Sequence, residues 1–483
     1  MGPGLRGLAG IAESAIAGRS RLRAYVQRLL FAKRTKSILC IIIASAPVTL
    51  PTPASIRHRR SGYLERFTLH PRSAPRERMS TASADLLPPH LIDRISFGKI
   101  VQIREVLLRA QATGQRVIRF ESGDPSFSVA PHVLEAIDRA ARAGKTHYVP
   151  NDGIPELRLA LAEKLRTKNR IEGVEPDHVF LTNGAMHALF VTFGTLLLPG
   201  DEVIIPDPMW TEVAENIRLA GAKPVGIPVR FEDDYAYTPD AIRAAITDRT
   251  RAIFINSPHN PTGAVLDKAT IEAIVGIARE HDLWIVSDEA YEDVLYEPYT
   301  HHSTAALAGD WAHRVVSVFS FSKSHAMAGL RTGYIVARPE QLRERIQKLL
   351  RCTINGVNSL AQWGALAAVT GSQDVIPAMQ TEYAKRRDLM LKGLEGIPGL
   401  RPFRPHGAFY VWAETGPELY ESVGVANADE LSSWLAARGI GSAPGDAFGH
   451  SCADAIRFAF SCDSRMVEEG SALLRETLLG GGR

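Results

Sequence analysis

VVSVFSFSKS, residues 315–324, is the segment that decides the fold. Its first five residues are small or apolar and rich in valine, which predicts a buried strand, and a lysine flanked by serines follows where this strand ends. Six similar runs occur between residues 179 and 337. They are Val179–Thr182, Glu202–Pro206, Pro224–Pro228, Ala252–Asn256, Trp284–Ser287 and Gly333–Ala337.

Longer amphipathic stretches separate several of these strands, as at Ala185–Leu197, Glu212–Ala220 and Lys268–His281. Strands that alternate with helices form βαβ units, so we expect an α/β fold with a mostly parallel sheet. The ligand groups of such a sheet lie at the carboxyl ends of its strands.

The pattern changes after about residue 340, where a helical run over Pro339–Cys352 and Ser359–Ala384 leads into shorter mixed elements. This change predicts a second, smaller α+β domain. We expect residues 79–129 to form an N-terminal arm and part of the small domain, residues 130–345 the large domain, and residues 346–483 the rest of the small domain.

The composition is that of an ordinary globular protein, with 45% hydrophobic and 23% charged residues in 483. These values exclude collagen-like, coiled-coil and wholly disordered chains. The net charge of +3 is unevenly divided, because residues 1–78 hold 15 Lys and Arg against three acids while the remainder holds 41 basic and 50 acidic residues. An acidic body gives no electrostatic reason to expect nucleic acid as a partner.

The basic first 78 residues show no sustained hydrophobic period, and we expect them to be disordered. Their apolar run at Ile38–Ala46 is too short to span a bilayer, which needs about 20 residues, so we expect no membrane partner. Three interpretations stay open: a transit peptide, a secretory signal, or translated upstream sequence before a true start at Met79, which we favour.

The chain has four cysteines and no cysteine or histidine cluster with metal-ligand spacing. We therefore expect neither a metal site nor a disulfide framework. A reducing compartment follows, and we expect the cytoplasm unless a transit peptide directs the chain to an organelle.

Polar residues follow two of the predicted strands. Lys323 lies between serines and eight residues before Arg331, so Ser320, Ser322 and the arginine can bind a dianion while a desolvated lysine acts as a Schiff-base nucleophile. A solvated loop lysine is the alternative. Asp288 ends another strand, either as a helix N-cap or as the anion that keeps a pyridine nitrogen protonated, with the Tyr291 phenol nearby.

Three further strand ends carry weaker signals. NPTG, residues 260–263, is a turn whose Asn260 can donate hydrogen bonds. Gly184 opens a strand–turn–helix junction whose backbone N–H groups can bind phosphate without a charged side chain. Trp210 either stacks on a flat cofactor or packs in the core.

Together these segments resemble the class I/II aminotransferases, the fold-type-I enzymes that depend on pyridoxal phosphate (PLP). The resemblance extends from about Ile92 to Leu479, and its motifs follow the family's order. They are ESGDPSF (121–127), YVPNDGIPELR (148–158), NGA (183–185), PDPMW (206–210), NPTG (260–263), DEAY (288–291), SFSK (320–323), Arg331, GAFY (407–410) and Arg457.

The resemblance implies a three-layer α/β/α large domain with a seven-stranded sheet. It also implies roles for several residues around the PLP ring. Lys323 would bind the cofactor covalently and carry the substrate proton, Asp288 would hold the proton on the ring nitrogen, and Tyr291 and Asn260 would bond the ring oxygen. Trp210 would stack on the ring.

The resemblance further implies how phosphate and substrate are held. Phosphate would be bound by Gly184 with the backbone N–H groups of Ala185 and Met186, by Ser320 and Ser322, by Arg331, and by Tyr148 of the neighbouring subunit. A homodimer is therefore expected. Arg457 would bind the substrate α-carboxylate, with Gly123, Trp210 and Asn260 completing the substrate site.

The implied function is transfer of an amino group from an α-amino acid, first of all aspartate, to a 2-oxo acid by a ping-pong mechanism. A PLP-dependent lyase, either a C–S β-lyase or an enzyme of the aminocyclopropane-carboxylate synthase type, is the alternative. Two features depart from the family: Met186 and His187 replace residues that are often polar, and no second arginine can be assigned to a distal carboxylate.

Overall fold

The computed structural model describes residues 90–95 and 97–480, so the interpretations of residues 1–78 and of a start at Met79 lie outside the described residues. A seven-stranded sheet contains all seven predicted strands. Its strands are β1 Val179–Thr182, β2 Glu202–Asp207, β3 Lys223–Pro228, β4 Thr250–Asn256, β5 Trp284–Asp288, β6 Val315–Ser320 and β7 Gly333–Val336.

The strand order in this sheet is β1-β7-β6-β5-β4-β2-β3. Strands β2 to β6 pair in parallel, while β7 pairs antiparallel with both β6 and β1. The prediction of a mostly parallel seven-stranded sheet is therefore confirmed.

Fifteen α-helices occur in the described residues. They are α1 Lys99–Ala112, α2 Pro131–Arg142, α3 Pro155–Thr167, α4 Gly184–Leu196, α5 Thr211–Leu219, α6 Pro239–Ala245, α7 Lys268–Glu280, α8 Thr304–Leu307, α9 Phe321–Ser324, α10 Glu340–Thr353, α11 Ser359–Thr370, α12 Val375–Leu394, α13 Pro417–Val423, α14 Ala428–Ala437 and α15 Ser464–Leu479. None of them has the length and apolarity that crossing a bilayer requires.

Helices cover both faces of the large sheet and make three layers. On β4, Ile253 belongs to a core that includes residues of α3 and α7, and the next residue, Phe254, belongs to a core that includes residues of α4, α5 and α10. Successive side chains of a strand point to opposite faces, so both faces must be apolar and covered.

One predicted element is wrong in its extent. The helical run expected over Ser359–Ala384 is two helices, α11 and α12, separated at Gly371. The backbone of Gly371 is extended, and a Cβ atom there would lie 2.7 Å from both the Ala367 carbonyl oxygen and the His132 ring. Gly371 followed by Ser372, Gln373 and Asp374 is a helix-end and helix-start signal, by which the break could have been recognised in the sequence.

A second sheet of four strands has the order β10-β11-β9-β8 and is antiparallel throughout. Its strands are β8 Leu400–Pro402, β9 Tyr410–Thr415, β10 Ala443–Pro444 and β11 Ala455–Ala459. Residues of α12 and α15 share its hydrophobic core, and Ile118 forms a bridge to Ile440 beside it. This is a smaller α+β assembly of the predicted type, while the domain boundaries stay a prediction.

Candidate active site

A cavity of ≈ 700 Å³ opens where β4, β5 and β6 end. Asn256, Asp288 and Ser320 are the last residues of these three strands and all line it. Most of the predicted site residues line the same cavity. They are Gly123, Ala185, Met186, Trp210, Asn260, Asp288, Tyr291, Ser320, Ser322, Lys323, Arg331 and Arg457.

Lys323 reaches this cavity from α9, the one-turn helix that follows β6. Its Nζ donates a hydrogen bond to the Gly123 carbonyl oxygen at 2.6 Å. Although Lys323 keeps some contact with solvent, protein atoms surround the amine, and this burial lowers its pKa from 10.5 to about 8. A larger share of uncharged amine is therefore present near neutral pH, as a nucleophile or base requires.

Asp288 is buried at the end of β5, where its Oδ1 accepts a hydrogen bond from the Ala290 backbone N–H at 3.1 Å. Burial raises the pKa of Asp288 to about 7, and the neighbouring Glu289 acts in the same direction. A cation placed beside this carboxyl would favour its ionised form, so the position suits a protonated ring nitrogen.

Asn256 joins the two strand-end motifs and was not singled out from the sequence. Its Nδ2 donates to the Asp288 carbonyl oxygen at 3.1 Å, and its Oδ1 accepts from the Asn260 backbone N–H at 2.9 Å. Its place at the end of β4, directly before SPHNPTG, is the signal that could have identified it.

Three elements place possible ligands of an anion, called here the anion site, on one side of the cavity. Helix α4 begins at Gly184 without a side-chain cap, so its first-turn N–H groups remain available. Arg331 donates to the Asn183 carbonyl oxygen at 3.3 Å, beside this helix start. Ser320 and Ser322 line the cavity next to them.

Close packing fixes the anion site. Gly184 has a φ of 79°, and a Cβ atom on it would overlap the Arg331 guanidinium. A Cβ atom on Gly333, the first residue of β7, would lie 2.8 Å from the Gly184 carbonyl carbon and 2.9 Å from the Ala185 nitrogen. Hydroxyls, a guanidinium and a helix N-terminus are the donors that a phosphate dianion requires, so the residues present fit the PLP phosphate.

Arg457 is buried on β11 and faces the cavity. Its guanidinium donates to the Asn260 Oδ1 at 3.0 Å and to the Glu121 carbonyl oxygen at 2.9 Å, while its Nε has no partner among the described residues. A buried guanidinium that faces a cavity can bind a carboxylate through two parallel hydrogen bonds.

Trp210 has a second set of contacts, and Tyr148 lies apart from the cavity. Trp210 lines the cavity and also packs against the core of one sheet face, while its stacking on a cofactor stays a prediction. Tyr148 is 91% exposed and lies in a separate groove with Asn355 and other residues of the segment that follows α10. The structure does not bring Tyr148 to the cavity of its own chain.

Several cavity residues were missed from the sequence. Arg104 of α1, Arg119, Glu121 and Glu212 of α5 all line it, and so does Tyr410 of β9. Arg119 is paired with Glu121, whereas Arg104 makes no ion pair with any described residue. Burial raises the pKa of Glu212, and Arg104 opposes this shift.

Comparison with known proteins identifies the family to which the chain belongs. The model of a family described as aminotransferase class I and II matches residues 115–472. The chain belongs to this family. An aspartate aminotransferase of Musicola paradisiaca is 36% identical over 371 residues, which cover 77% of this chain and 91% of the relative. An arginine–pyruvate transaminase of Pseudomonas aeruginosa is 36% identical over 370 residues, covering 76% and 92%.

A solved structure agrees with this membership in the family. The aspartate aminotransferase of Thermus thermophilus with maleate superimposes with a TM-score of 0.75 at 34% identity, and the match covers 80% of this chain and 98% of that one. This class I and II aminotransferase is therefore a PLP-dependent transaminase of fold type I. The relatives support the transaminase over the lyase that the sequence left open.

The raised pKa of Asp288 makes the stability of the cofactor-free protein depend on pH. Ionisation of this buried carboxyl costs folding free energy progressively as pH rises from about 4 to about 7. Asp288→Asn removes that cost, so the variant should gain stability over the wild type across this range, by up to roughly 4 kcal/mol. Urea unfolding of the cofactor-free proteins at pH 4.5 to 8 measures the difference.

Asp310→Asn is the matched control, because Asp310 is 86% exposed. It should change stability by a few tenths of a kcal/mol without this pH dependence. A gain by Asp288→Asn that is equal at all pH values, or a loss at pH 8, would contradict the argument.

Proposed function

We propose that Lys323, Asp288 and Arg457 are the central groups with which this transaminase exchanges an amino group between an α-amino acid and a 2-oxo acid. The observation that carries the proposal is their convergence on one cavity from α9, which follows β6, from β5 of the large sheet and from β11 of the small sheet. An amine, a carboxyl and a guanidinium there supply a base, a ring-nitrogen partner and a carboxylate ligand.

Bound PLP supplies an aldehyde that carries the amino group and a ring that accepts electrons from the substrate α-carbon. The phosphate would be held by Ser320, Ser322, Arg331 and the N-terminus of α4, with Gly184, Ala185 and Met186 as backbone donors. Asp288 would hold the ring-nitrogen proton, Trp210 would cover one ring face, and Tyr291 and Asn260 would donate hydrogen bonds to the ring oxygen.

Lys323 would then carry the proton between the substrate α-carbon and the cofactor carbon C4′. Its lowered pKa, about 8, supports this role because the uncharged amine that acts as the base is far more abundant at neutral pH than it would be at the usual pKa of 10.5. Arg457 would bind the α-carboxylate, exchanging its present bonds to Asn260 and Glu121 for the ligand. Gly123, whose carbonyl oxygen accepts a hydrogen bond from Lys323, would help to bind the same α-carboxylate through its backbone N–H.

Aspartate is the amino donor that we propose. Two observations support it: relatives are named for aspartate, and Arg104 supplies a cation for the distal carboxylate that the sequence had not offered. Glu212 lines the same cavity, and its raised pKa favours the neutral carboxyl, which can donate a hydrogen bond to a carboxylate instead of repelling it.

The functional unit that we propose is a homodimer located in the cytoplasm. Tyr148 is highly exposed and does not line its own cavity, which suits a residue that binds phosphate in a neighbouring subunit. Closed twofold symmetry would then place each Tyr148 at the other chain's site.

Lys323→Ala should abolish covalent attachment of the cofactor together with its visible absorbance, and lower turnover at least about 10²-fold because the proton carrier is lost. Borohydride reduction followed by peptide mass spectrometry locates the attachment in the wild type. Lys348→Ala, an exposed lysine paired with Glu344, is the control and should keep label and activity. A wild-type label on any residue other than Lys323 would refute the assignment.

Arg104→Gln should raise KM for aspartate about tenfold and leave KM for alanine unchanged, because a charge-assisted hydrogen bond contributes about 1.5 kcal/mol. Steady-state kinetics with both donors measures the ratio. Arg109→Gln, on the same helix but paired with Glu105, is the matched control. Equal effects on both donors, or none, would overturn the aspartate assignment while leaving the transaminase activity untouched.

Subunit mixing tests the role of Tyr148. Tyr148→Ala and Lys323→Ala should each be nearly inactive alone, since one lacks the phosphate ligand and the other the amine. Exchange of subunits creates mixed dimers with one complete site, so about a quarter of native activity should return. No recovery, with mixed dimers verified by native mass spectrometry, would place Tyr148 outside the neighbouring site.

A further inference from the structure

We infer that Tyr410 is a positioning residue that connects the Tyr291 phenol with the Arg457 carboxylate site. The inference rests on the proposed function, because the roles of Tyr291 and Arg457 are themselves proposed above. Tyr410 is the first residue of β9, is buried, and lines the cavity. Its contacts differ from those of an ordinary core tyrosine in three respects.

The first contact is a hydrogen bond between two phenols. The hydroxyl oxygens of Tyr410 and Tyr291 lie 2.7 Å apart, and both side chains are buried. If the Tyr291 hydroxyl donates to the ring oxygen of the cofactor, its own oxygen must accept from Tyr410. Hydrogen bonds in such a chain strengthen one another, so Tyr410 makes Tyr291 a stronger donor.

The second contact is with the guanidinium of Arg457. The Arg457 Cζ lies 4.3 Å from the centroid of the Tyr410 ring and 4.8 Å from that of Phe448. An arginine between two aromatic rings has its plane restricted, and cation–π attraction holds it there. The Tyr410 ring therefore orients Arg457 before a carboxylate binds, independently of its hydroxyl.

The third contact is with the segment that covers the amine. A Cβ atom on Gly123 would overlap the Tyr410 hydroxyl oxygen, and the Gly123 carbonyl oxygen accepts from Lys323. A side chain at 123 would therefore displace the Tyr410 hydroxyl. The charged or titratable groups around the phenol pair are Arg457, Glu212, Asp288, Tyr383 and Lys323.

Two substitutions separate the hydroxyl from the ring. Tyr410→Phe keeps the ring, so KM for aspartate and alanine should stay within about twofold. The variant lacks the hydroxyl that strengthens Tyr291 as a donor to the ring oxygen, so the pH midpoint of the visible cofactor band should rise by about half a unit. Tyr410→Leu also removes the ring and should raise KM for both donors about tenfold. Spectral titration and steady-state kinetics measure the two effects.

Tyr420→Phe is the matched control, since Tyr420 bonds Thr415 and Asp454 and does not line the cavity. It should leave the band midpoint and KM unchanged, and thermal melting verifies that all variants are folded. An unshifted midpoint in Tyr410→Phe, or equal KM in Tyr410→Leu and wild type, would overturn the inference. Failure of the proposed function would instead show in Lys323→Ala, through a visible band that persists.

Discussion

Burial of ionisable side chains at one edge of the large sheet is the constraint on which the rest of the site depends. Lys323 and Asp288 both lose water on folding, and each pKa moves towards neutrality, to about 8 and about 7. Desolvation disfavours the charged form of either group, so an amine and a carboxyl can lie near one another as reactive rather than fully charged groups. A flat, polar cofactor with a phosphate fits such a cavity because it would provide partners for the amine, for the carboxyl and for the phosphate-binding donors.

The two sheets carry different groups of the proposed site. The large sheet and its helix termini carry the groups for phosphate and ring, at Asp288, Ser320 and Gly184. The small sheet carries Arg457 on β11 and Tyr410 on the neighbouring strand β9, and both residues line the same cavity. Substrate recognition therefore depends on how the second sheet packs against the first, whereas cofactor binding depends mainly on the first.

A buried polar cluster supports the segment that follows β5. Glu292 accepts from Lys164 and from the Asn169 side-chain amide, and Glu289 accepts from Ser303 and lies 2.9 Å from a ring nitrogen of His301. Buried carboxylates are stable only when they are paired and hydrogen-bonded. The cluster therefore connects the residues next to Asp288 with α3 and with the segment before α8. These contacts restrict the movement of the Asp288 carboxyl.

The sheet and much of the cavity lining could be predicted from the sequence pattern. Short apolar runs rich in β-branched residues predicted all seven strands, and Asp288, Ser320 and Lys323 were predicted because the ends of parallel strands meet at one edge. The other cavity residues could not be predicted in this way. Arg104, Glu212 and Tyr410 reach the cavity from α1, α5 and β9. These positions follow from packing between distant elements, which local spacing does not encode.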